Sequence, residues 1–256
     1  MAENGFKLRI DNISKSFGGV QALMEVGLGA REGEVLAIIG PNGAGKTVLL
    51  NCISGFYHPN NGRIFLEDKD ISHLAPHKIA KLGIGRTFQN IQLFDGMDVL
   101  DNLMVARHIH MKGNLITDAI YFHWAQREEA RQREKVEEII EFLDLGPIRK
   151  TIAGTLPYGT RKKVDLGRAL ALEPKLLMLD EPMAGMTVDE KEDECRYIQD
   201  ILDWWKIPIL LIEHDMGVVM DIADRIIVLD FGRKIAEGTP KEVSSNPNVI
   251  KAYLGE

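Results

Sequence analysis

The sequence predicts an α/β fold with a helical lobe inserted into a largely parallel sheet, and two observations carry this prediction. Short apolar runs recur between helical stretches: VLAII (35–39), LLML (176–179), IPILLI (207–212) and IIVL (226–229). Runs of this length are typical of the buried strands of a parallel sheet. Between about residues 91 and 170, helical periodicity replaces them. A chain of 256 residues is long enough for one large domain with such an insertion.

The remaining elements follow in chain order. Residues 1–34 contain two glycine turn signals and predict short strands, and residues 63–71 predict a further hairpin strand. Apolar residues at helix-face spacing predict a helix over 126–145. We therefore expect three parts. Residues 1–90 and 171–235 form an α/β core with an N-terminal β subdomain, residues 91–170 form a helical lobe, and residues 236–256 form a helical tail.

The composition excludes several classes of protein. The 31 Lys and Arg against 38 Asp and Glu give a net charge of −7, whereas a nucleic-acid binder more often has a basic excess. Two cysteines, Cys52 and Cys195, argue against a disulfide scaffold and fit a reducing cytosol. The start has no apolar stretch typical of a secretory signal, and the apolar runs are too short to cross a bilayer.

A phosphate-binding loop follows the first apolar strand. Residues 40–47 read GPNGAGKT and match G-x-x-x-x-G-K-S/T in full, between a predicted strand and a predicted helix. The glycines let backbone N–H groups turn towards phosphates, and the following helix adds its positive dipole end. We expect Lys46 to bridge the β- and γ-phosphates and the Thr47 hydroxyl to bind Mg²⁺.

Two adjacent carboxylates end the strand LLML. Asp180 and Glu181 are predicted to lie at the carboxyl edge of the sheet, where ligands of α/β proteins bind. On its own, such a pair is more often a solvated strand end, but the phosphate loop reverses that balance. We expect Asp180 to be the Mg²⁺ partner and Glu181 to polarise the water that attacks the γ-phosphate.

Two further polar residues are candidates for the same edge. Gln89, in GRTFQN, is placed to sense Mg²⁺ or the attacking water, and we group it with Glu181 as a catalytic residue. His214 follows the strand IPILLI and is predicted to contact the γ-phosphate, although a lone histidine is more often structural.

The stretch LPYGTRKKVDLGRAL (156–170) reads as a tight turn that feeds a helix start beside Arg161, Lys162 and Lys163. A helix N-terminus in this setting favours an anion. The residues alone leave open which anion it is and which molecule carries it.

Taken together and in this order, these motifs resemble the ATP-binding subunit of an ABC transporter over essentially the whole chain. The resemblance implies a RecA-like P-loop core with an antiparallel β subdomain and an inserted helical lobe. It also implies that Phe17 stacks on adenine, that Gln89 lies in the Q-loop, that His214 is the switch histidine, and that residues 156–160 are the signature motif. The implied nucleotide contacts are Phe17, Pro41, Asn42, Gly43, Ala44, Gly45, Lys46, Thr47, Val48 and Asp180, with Pro157, Tyr158 and Gly159 acting in trans. The implied cofactors are ATP and Mg²⁺, the latter held by Thr47, Gln89 and Asp180.

The trans contacts arise because two subunits of this family pack head to tail, so that each signature helix caps the ATP of its partner. Three residues depart from the family pattern. Pro157 replaces the signature serine and removes a hydroxyl and an N–H, and Thr160 replaces Gln or Glu. Val48 replaces a hydroxyl residue expected to contact the α-phosphate. We therefore expect the composite site capped by this chain to be weakened.

A closer resemblance joins the chain to the branched-chain amino acid importer class, and to the larger of its two ATPase types. It rests on LFDGMDVLDNLMVA (93–106), LDEPMAGM (179–186), the segment 213–243 and NPNVIKAYLGE (246–256). It implies a peripheral subunit on the cytoplasmic face of the inner membrane. The implied partners are a second ATPase subunit, identical or not, two permeases and, indirectly, an extracytoplasmic solute-binding protein.

The apolar segment Ile91–Met104 is mostly expected to be core, with a few residues lining a groove for a short cytoplasmic permease helix. We predict that Phe94 and Met97 are exposed in the isolated subunit. Two alternatives to a transport ATPase are a soluble ABC ATPase of DNA repair or translation and a regulatory nucleotide-binding module with weak hydrolysis. The first usually has two cassettes or a long coiled coil, and Glu181 argues against the second.

Overall fold

The computed structural model describes residues 5–110 and 122–254. Its strands are β1 (Phe6–Phe17), β2 (Val20–Arg31), β3 (Val35–Ile39), β4 (Asn61–Leu66), β5 (Lys69–Asp70), β6 (Ile84–Arg86), β7 (Leu176–Asp180), β8 (Ile209–Ile212), β9 (Arg225–Asp230) and β10 (Arg233–Gly238). Its helices are α1 (Lys46–Ile53), α2 (Pro76–Lys81), α3 (Val99–Arg107), α4 (Phe122–Phe142), α5 (Tyr158–Leu170), α6 (Val188–Trp205), α7 (Met216–Ile222), α8 (Pro240–Ser244) and α9 (Pro247–Leu254).

The strands form two sheets. The larger has the order β10-β9-β3-β8-β7-β6, and all neighbours pair in parallel except β10 on β9. All five residues of β3 are buried because other elements cover both faces of the sheet. Leu36 and Ile38 pack in one hydrophobic cluster, and Ala37 and Ile39 pack in another. The predicted α/β class with a parallel core is confirmed.

The smaller sheet is antiparallel and has the order β2-β1-β4-β5. The prediction of short strands in the first 34 residues was wrong, because β1 and β2 each span 12 residues. Their register shifts between Ile10 and Ile13, beside Asn12, whose φ is 46°. Such a bulge breaks the alternation of buried and exposed residues, so a long strand reads in the sequence as two short ones.

In the described part of 91–170 the long elements are helices α3, α4 and α5, whereas 91–98 and 143–157 are loops and short turns. Helices α3, α4 and α5 share one hydrophobic cluster that includes Leu103, Val136 and Val164. Strand β10 continues to Gly238. Helix α8 begins at Pro240 and helix α9 begins at Pro247. The division into core, lobe and tail stays a prediction. None of the helices in 5–110 and 122–254 combines the length and the apolar character that crossing a bilayer requires.

Candidate functional site

The register of the large sheet brings the predicted site residues to one edge. Asp180 pairs with Ile212 on β8, and Ile38 on β3 pairs with that same residue. The segments that leave these strands therefore emerge side by side. They carry the loop 40–47, Glu181 and His214. Arg86, at the end of β6, pairs with Met178 and leads the chain to Gln89 at the same edge.

The loop 40–47 depends on glycine at two positions. Gly40 has φ of 150°, and a Cβ there would collide with the carbonyl oxygen of Leu229. Gly45 is the residue before α1 with φ of 102°, and a Cβ there would lie 2.6 Å from the carbonyl oxygen of Ala22. Helix α1 has no side-chain cap and no acidic residue in its first turn. Its first N–H groups are therefore open to an anion, which fits a bound phosphate chain.

Lys46 lies folded back against its own loop. Its Nζ donates to the carbonyl oxygens of Gly40 at 2.6 Å and Pro41 at 3.0 Å. Burial lowers the pKa of this ammonium, and the charges of Glu181 and Asp180 oppose that shift. A phosphate chain would supply stronger acceptors than these two carbonyls. To make the predicted contact with the β- and γ-phosphates, the Lys46 ammonium therefore only has to exchange these two carbonyls for phosphate oxygens.

The Glu181 carboxylate is held between Gln89 and His214. Gln89 Nε2 donates to Glu181 Oε2 at 2.8 Å, and His214 Nε2 lies 2.8 Å from Glu181 Oε1. The backbone of Glu181 has φ of 51°, a left-handed conformation that side chains rarely adopt. Strained residues of this kind cluster at functional sites. The structure thus unites three residues that the sequence places 92 and 33 positions apart.

A cavity of about 310 Å³ lies in front of the loop and this carboxylate. The loop residues 42–48, including the exposed hydroxyl residue Thr47 and the half-buried Val48, form one wall. Gln89, Glu181 and His214 form another, and Ala22 completes the lining. The described lining includes no residue of the signature segment, and the trans contacts of Pro157, Tyr158 and Gly159 stay a prediction.

Asp180 lies beneath this cavity and is buried, with 3% of its surface exposed. Arg86 Nη2 holds Asp180 Oδ2 at 2.9 Å. Within the described residues no three His, Cys, Asp or Glu side chains form a metal cluster. A hydroxyl, an amide and a single carboxylate nevertheless suit Mg²⁺, because this ion usually takes its other ligands from water and substrate phosphates. The donor set therefore fits Mg²⁺ delivered with a nucleotide.

Phe17 lies outside the lining of the cavity, at the end of β1. Its ring is 42% exposed and packs edge-on against Tyr57, with centroids 4.9 Å apart. Lys15 Nζ lies 5.1 Å from the ring centroid. An exposed ring fixed by a second aromatic is a suitable stacking surface. The adenine contact of Phe17 stays a prediction.

The signature segment forms the N-terminus of α5. Pro157 is the residue before the helix and provides no side-chain cap. Tyr158 is 46% exposed, and its ring packs over Gly185. Gly159 is buried so close to Glu190 that any Cβ would collide with this carboxylate. The segment therefore presents an exposed helix start, but a carboxylate lies beside it.

The cations beside this helix start are turned inwards. Arg161 forms an ion pair with Asp95 at 2.6 Å, and Lys163 donates to the Tyr197 hydroxyl at 3.0 Å. Lys162 is 4% exposed, and its Nζ donates to the carbonyl oxygens of Glu181 at 2.9 Å and Gln89 at 3.2 Å. The sequence places these cations beside a helix start that favours an anion. In the structure Lys162 instead ties this helix to the edge that carries Gln89 and Glu181, whereas Arg161 pairs within 91–170 and Lys163 contacts α6.

Sequence reasoning missed Arg86 and the internal contacts of Lys162. Both are charged residues next to recognisable motifs, Arg86 three positions before Gln89 and Lys162 in the signature helix. A charged residue at the end of a buried strand is the signal that identifies Arg86, since such a charge needs a partner.

The predicted exposure of Phe94 and Met97 is confirmed, at 48% and 40%. Asn102, fully buried, fixes their loop by accepting from Phe94 N at 2.9 Å and donating to the Phe94 carbonyl oxygen at 3.2 Å. A separate apolar groove of about 270 Å³ includes Phe56, which is 54% exposed, and Phe88. The sequence did not indicate this second apolar surface.

Comparisons with known proteins agree with this architecture. The family model described as "ABC transporter" matches residues 23–184, and one described as "Branched-chain amino acid ATP-binding cassette transporter" matches residues 233–256. The high-affinity branched-chain amino acid transport ATP-binding protein BraF of Pseudomonas aeruginosa is 41% identical over 97% of this chain and 98% of its own. The corresponding protein LivG of Escherichia coli strain K12 is 38% identical over the same shares.

Among solved structures, a nucleotide-free ATP-binding cassette from an ABC transporter superposes with a TM-score of 0.85 and 37% identity, covering 98% of this chain and all of that one. The ADP conformation of the cassette MJ1267 gives a TM-score of 0.84, with 37% identity and coverage of 98% and 99%. A dimeric cassette, MJ0796, shares the fold at 23% identity, with a TM-score of 0.77 and coverage of 91% and 98%.

Proposed function

Since the chain belongs to the ABC transporter family of ATP-binding proteins, we propose that it is the ATP-hydrolysing subunit of an importer for branched-chain or other hydrophobic amino acids or related small solutes. The observation that carries the hydrolytic part is the meeting of the phosphate loop, Gln89, Glu181 and His214 around one cavity. The names of its relatives support the solute class.

In this proposal the residues of the cavity divide the work. The loop N–H groups and Lys46 bind the β- and γ-phosphates, and Phe17 stacks on the adenine. Thr47, Asp180 and Gln89 hold Mg²⁺, which when bound neutralises charge on the phosphate oxygens. Glu181 accepts a proton from the attacking water, and His214 and Gln89 keep its carboxylate oriented.

The proposed assembly places a second ATPase subunit against the exposed helix start at Pro157–Thr160. There the helix dipole and remaining N–H groups of α5 would cap the partner's nucleotide. ATP would close this pair and hydrolysis would reopen it. One of the two permeases would dock at the exposed Phe94 and Met97 of this subunit, where a short apolar helix from that permease would cover both side chains. This docking would hold the subunit at the cytoplasmic face of the membrane.

Phosphate release by the assembled transporter tests the hydrolytic role. Glu181→Gln should keep ATP binding but lower turnover by about 10²- to 10⁴-fold, because general-base catalysis contributes on this order. Glu134→Gln, at an exposed site on α4, is the matched control and should leave turnover unchanged. Wild-type turnover no higher than that of Glu181→Gln would favour the regulatory module, which the loss of the signature serine at Pro157 also favours.

Co-purification tests the transport role. The tagged chain should bring two membrane permeases with it, and Phe94→Asp with Met97→Asp should lose them while ATP binding persists. A chain that purifies alone, with full ATPase activity and no permease bound, would instead indicate an ABC ATPase unconnected to transport.

A further inference from the structure

Arg86, the last residue of β6, joins three elements of the site through one side chain. Its Nη2 lies 2.9 Å from Asp180 Oδ2 at the end of β7. Its Nη1 donates to Asn51 Oδ1 at 2.8 Å and to Ser54 Oγ at 2.9 Å. Asn51 belongs to α1, and Ser54 is the residue that follows it. The guanidinium therefore connects a strand of the catalytic edge to the helix of the phosphate loop.

The contact with Asp180 is buried on both sides. The two side chains are 7% and 4% exposed. A buried carboxylate needs a partner, and the contact from Arg86 Nη2 restrains the orientation of Asp180 as well as balancing its charge. The next residue, Thr87, adds a second restraint, because its Oγ1 accepts from Asp180 N at 3.3 Å. One oxygen of Asp180 is thus engaged by Arg86, and the other is left for a different partner.

The contacts on α1 lie near Thr47, the other predicted metal ligand. Asn51 is four residues after Thr47 on this helix, so the two side chains share one helix face. Arg86 is fixed relative to that face and to Asp180 at once. The guanidinium therefore adds a direct side-chain link between the helix that carries Thr47 and the Asp180 carboxylate, beside the link that the sheet already provides.

The arginine is not placed only to satisfy its own hydrogen bonds. Its Nε is buried and has no hydrogen-bond partner among the residues that the structure describes, whereas the ring of Phe88 lies 4.9 Å from Cζ and covers the guanidinium. A buried donor without a partner is unfavourable, and in native proteins it calls for an explanation. Precise placement of the two Nη atoms explains why the Nε is left without a partner.

We propose that Arg86 is a positioning residue for the Mg²⁺ that accompanies ATP. It would orient the Asp180 carboxylate and restrain it relative to the helix that carries Thr47, so that an oxygen of each residue would be available to the ion. This inference rests on the magnesium–nucleotide site of the proposed function. Residues that orient metal ligands typically change metal affinity by about 10- to 100-fold when they are replaced.

The test is binding of a fluorescent ATP analogue to the isolated subunit, with Mg²⁺ or with EDTA. Arg86→Met should weaken binding at least tenfold in Mg²⁺ and less than about threefold in EDTA, and a Mg²⁺ titration at fixed analogue should shift its midpoint upwards about tenfold or more. Arg86→Lys should restore part of the metal-dependent affinity, because it keeps the charge but not the fork.

A second variant covers the case in which Arg86→Met does not fold. Asn51→Ala leaves the ion pair with Asp180 and removes one contact to α1, and it should raise the Mg²⁺ midpoint about threefold. Equal weakening in Mg²⁺ and EDTA, or no shift in either variant, would show that Arg86 is only a structural counter-ion. Wild-type binding that does not depend on Mg²⁺ would instead reject the metal site of the proposed function.

Discussion

The phosphate loop and the signature segment are both turns that lead into a helix without a side-chain cap. They differ in what accompanies the helix start. At α1 the cation Lys46 faces the cavity. At α5 the neighbouring cations are bound internally, and the carboxylate of Glu190 lies beside Gly159. The phosphate loop thus offers donors and positive charge, whereas the signature segment offers only the helix dipole and its remaining N–H groups.

From this difference we expect the departures from the family pattern to matter mostly in trans. Pro157 removes an N–H and a hydroxyl from the half that has no charge to compensate for them. In the other half, Val48 replaces one hydroxyl among several donors. We therefore expect strong effects from Lys46, intermediate effects from Pro157 and weak effects from Val48.

The largest effect is expected from replacing Lys46 in the phosphate loop. Lys46→Ala should weaken ATP binding by about 100-fold, because two charge-assisted hydrogen bonds of about 1.5 kcal/mol each are lost. The measurement is calorimetric titration with ATP and Mg²⁺. Lys78→Ala, an exposed lysine on α2, is the control and should bind as wild type does. Affinity for Lys46→Ala within threefold of wild type would contradict the assigned role.

Restoring the signature serine tests the weaker half. Pro157→Ser should raise ATPase turnover of the assembled transporter by up to about tenfold, since one recovered hydrogen bond to a charged group contributes about 1.5 kcal/mol. ATP binding by the isolated subunit should not change, because in the proposed assembly the segment would act on the partner's nucleotide.

Pro157→Ala is the matched variant, because it restores the N–H but not the hydroxyl. It should give a smaller rise than Pro157→Ser. A serine before α5 is also expected to cap the helix and stabilise the fold by about 1 kcal/mol, so thermal unfolding must be measured beside turnover. Unchanged or lower turnover in both variants would contradict the hypothesis that Pro157 weakens the composite site.

The sequence predicted the contiguous phosphate loop better than the contacts between distant strand ends, and the reason is physical. The phosphate loop is a contiguous motif, and its function depends on backbone conformations that glycine permits, so residues 40–47 reveal it directly. The contacts of Arg86, Lys162 and Gln89 depend on which strand ends lie side by side. Only the strand order of the sheet decides that, and the sequence does not state this order.

The fold was predictable to a similar extent. Buried parallel strands such as β3 are uniformly apolar and therefore visible. The bulged hairpin of β1 and β2 was read as several short strands, because a bulge breaks the two-residue period. The internal contacts of the cationic residues 161–163 were not predicted, because sequence spacing gives no information about which way a side chain turns.

The sheet edge at Asp180 and the region behind the signature helix also differ in how a buried carboxylate is accommodated. Asp180 is paired with Arg86, whereas Glu194 on α6 lies fully buried behind the signature helix, and this burial raises its pKa to about 7. Lys163 and Lys162 oppose that shift, and Glu213 and Asp165 add to it. Because the folded pKa exceeds the usual value of about 4.3, folding takes up a proton, and stability falls as the pH rises from about 4 to about 7.

Glu194→Gln removes this ionisation while keeping the shape of the side chain. The variant should unfold at a temperature a few degrees higher than wild type at pH 8, corresponding to about 1–3 kcal/mol, and differ little from it at pH 5. Calorimetry at both pH values measures this. Glu192→Gln, exposed on the same helix, should show no such pH-dependent difference. A gain that is equal at pH 5 and pH 8 would mean that the ionisation of Glu194 does not limit stability.

The weakest expected effect returns to the phosphate loop. Val48 is half-buried, packs against the core and lines the cavity, so Val48→Thr keeps the shape of the side chain and adds one hydroxyl that can donate to the α-phosphate. A single neutral hydrogen-bond donor contributes about 1 kcal/mol, which corresponds to at most about fivefold tighter ATP binding. Val48→Ala, which removes volume without adding a donor, should not tighten it. The phosphate loop already has Lys46 and the open N–H groups of α1 as donors. A gain in ATP affinity above tenfold would therefore mean that this loop, like the signature segment, lacks a donor that it needs. The phosphate loop and the signature segment would then no longer differ in this respect.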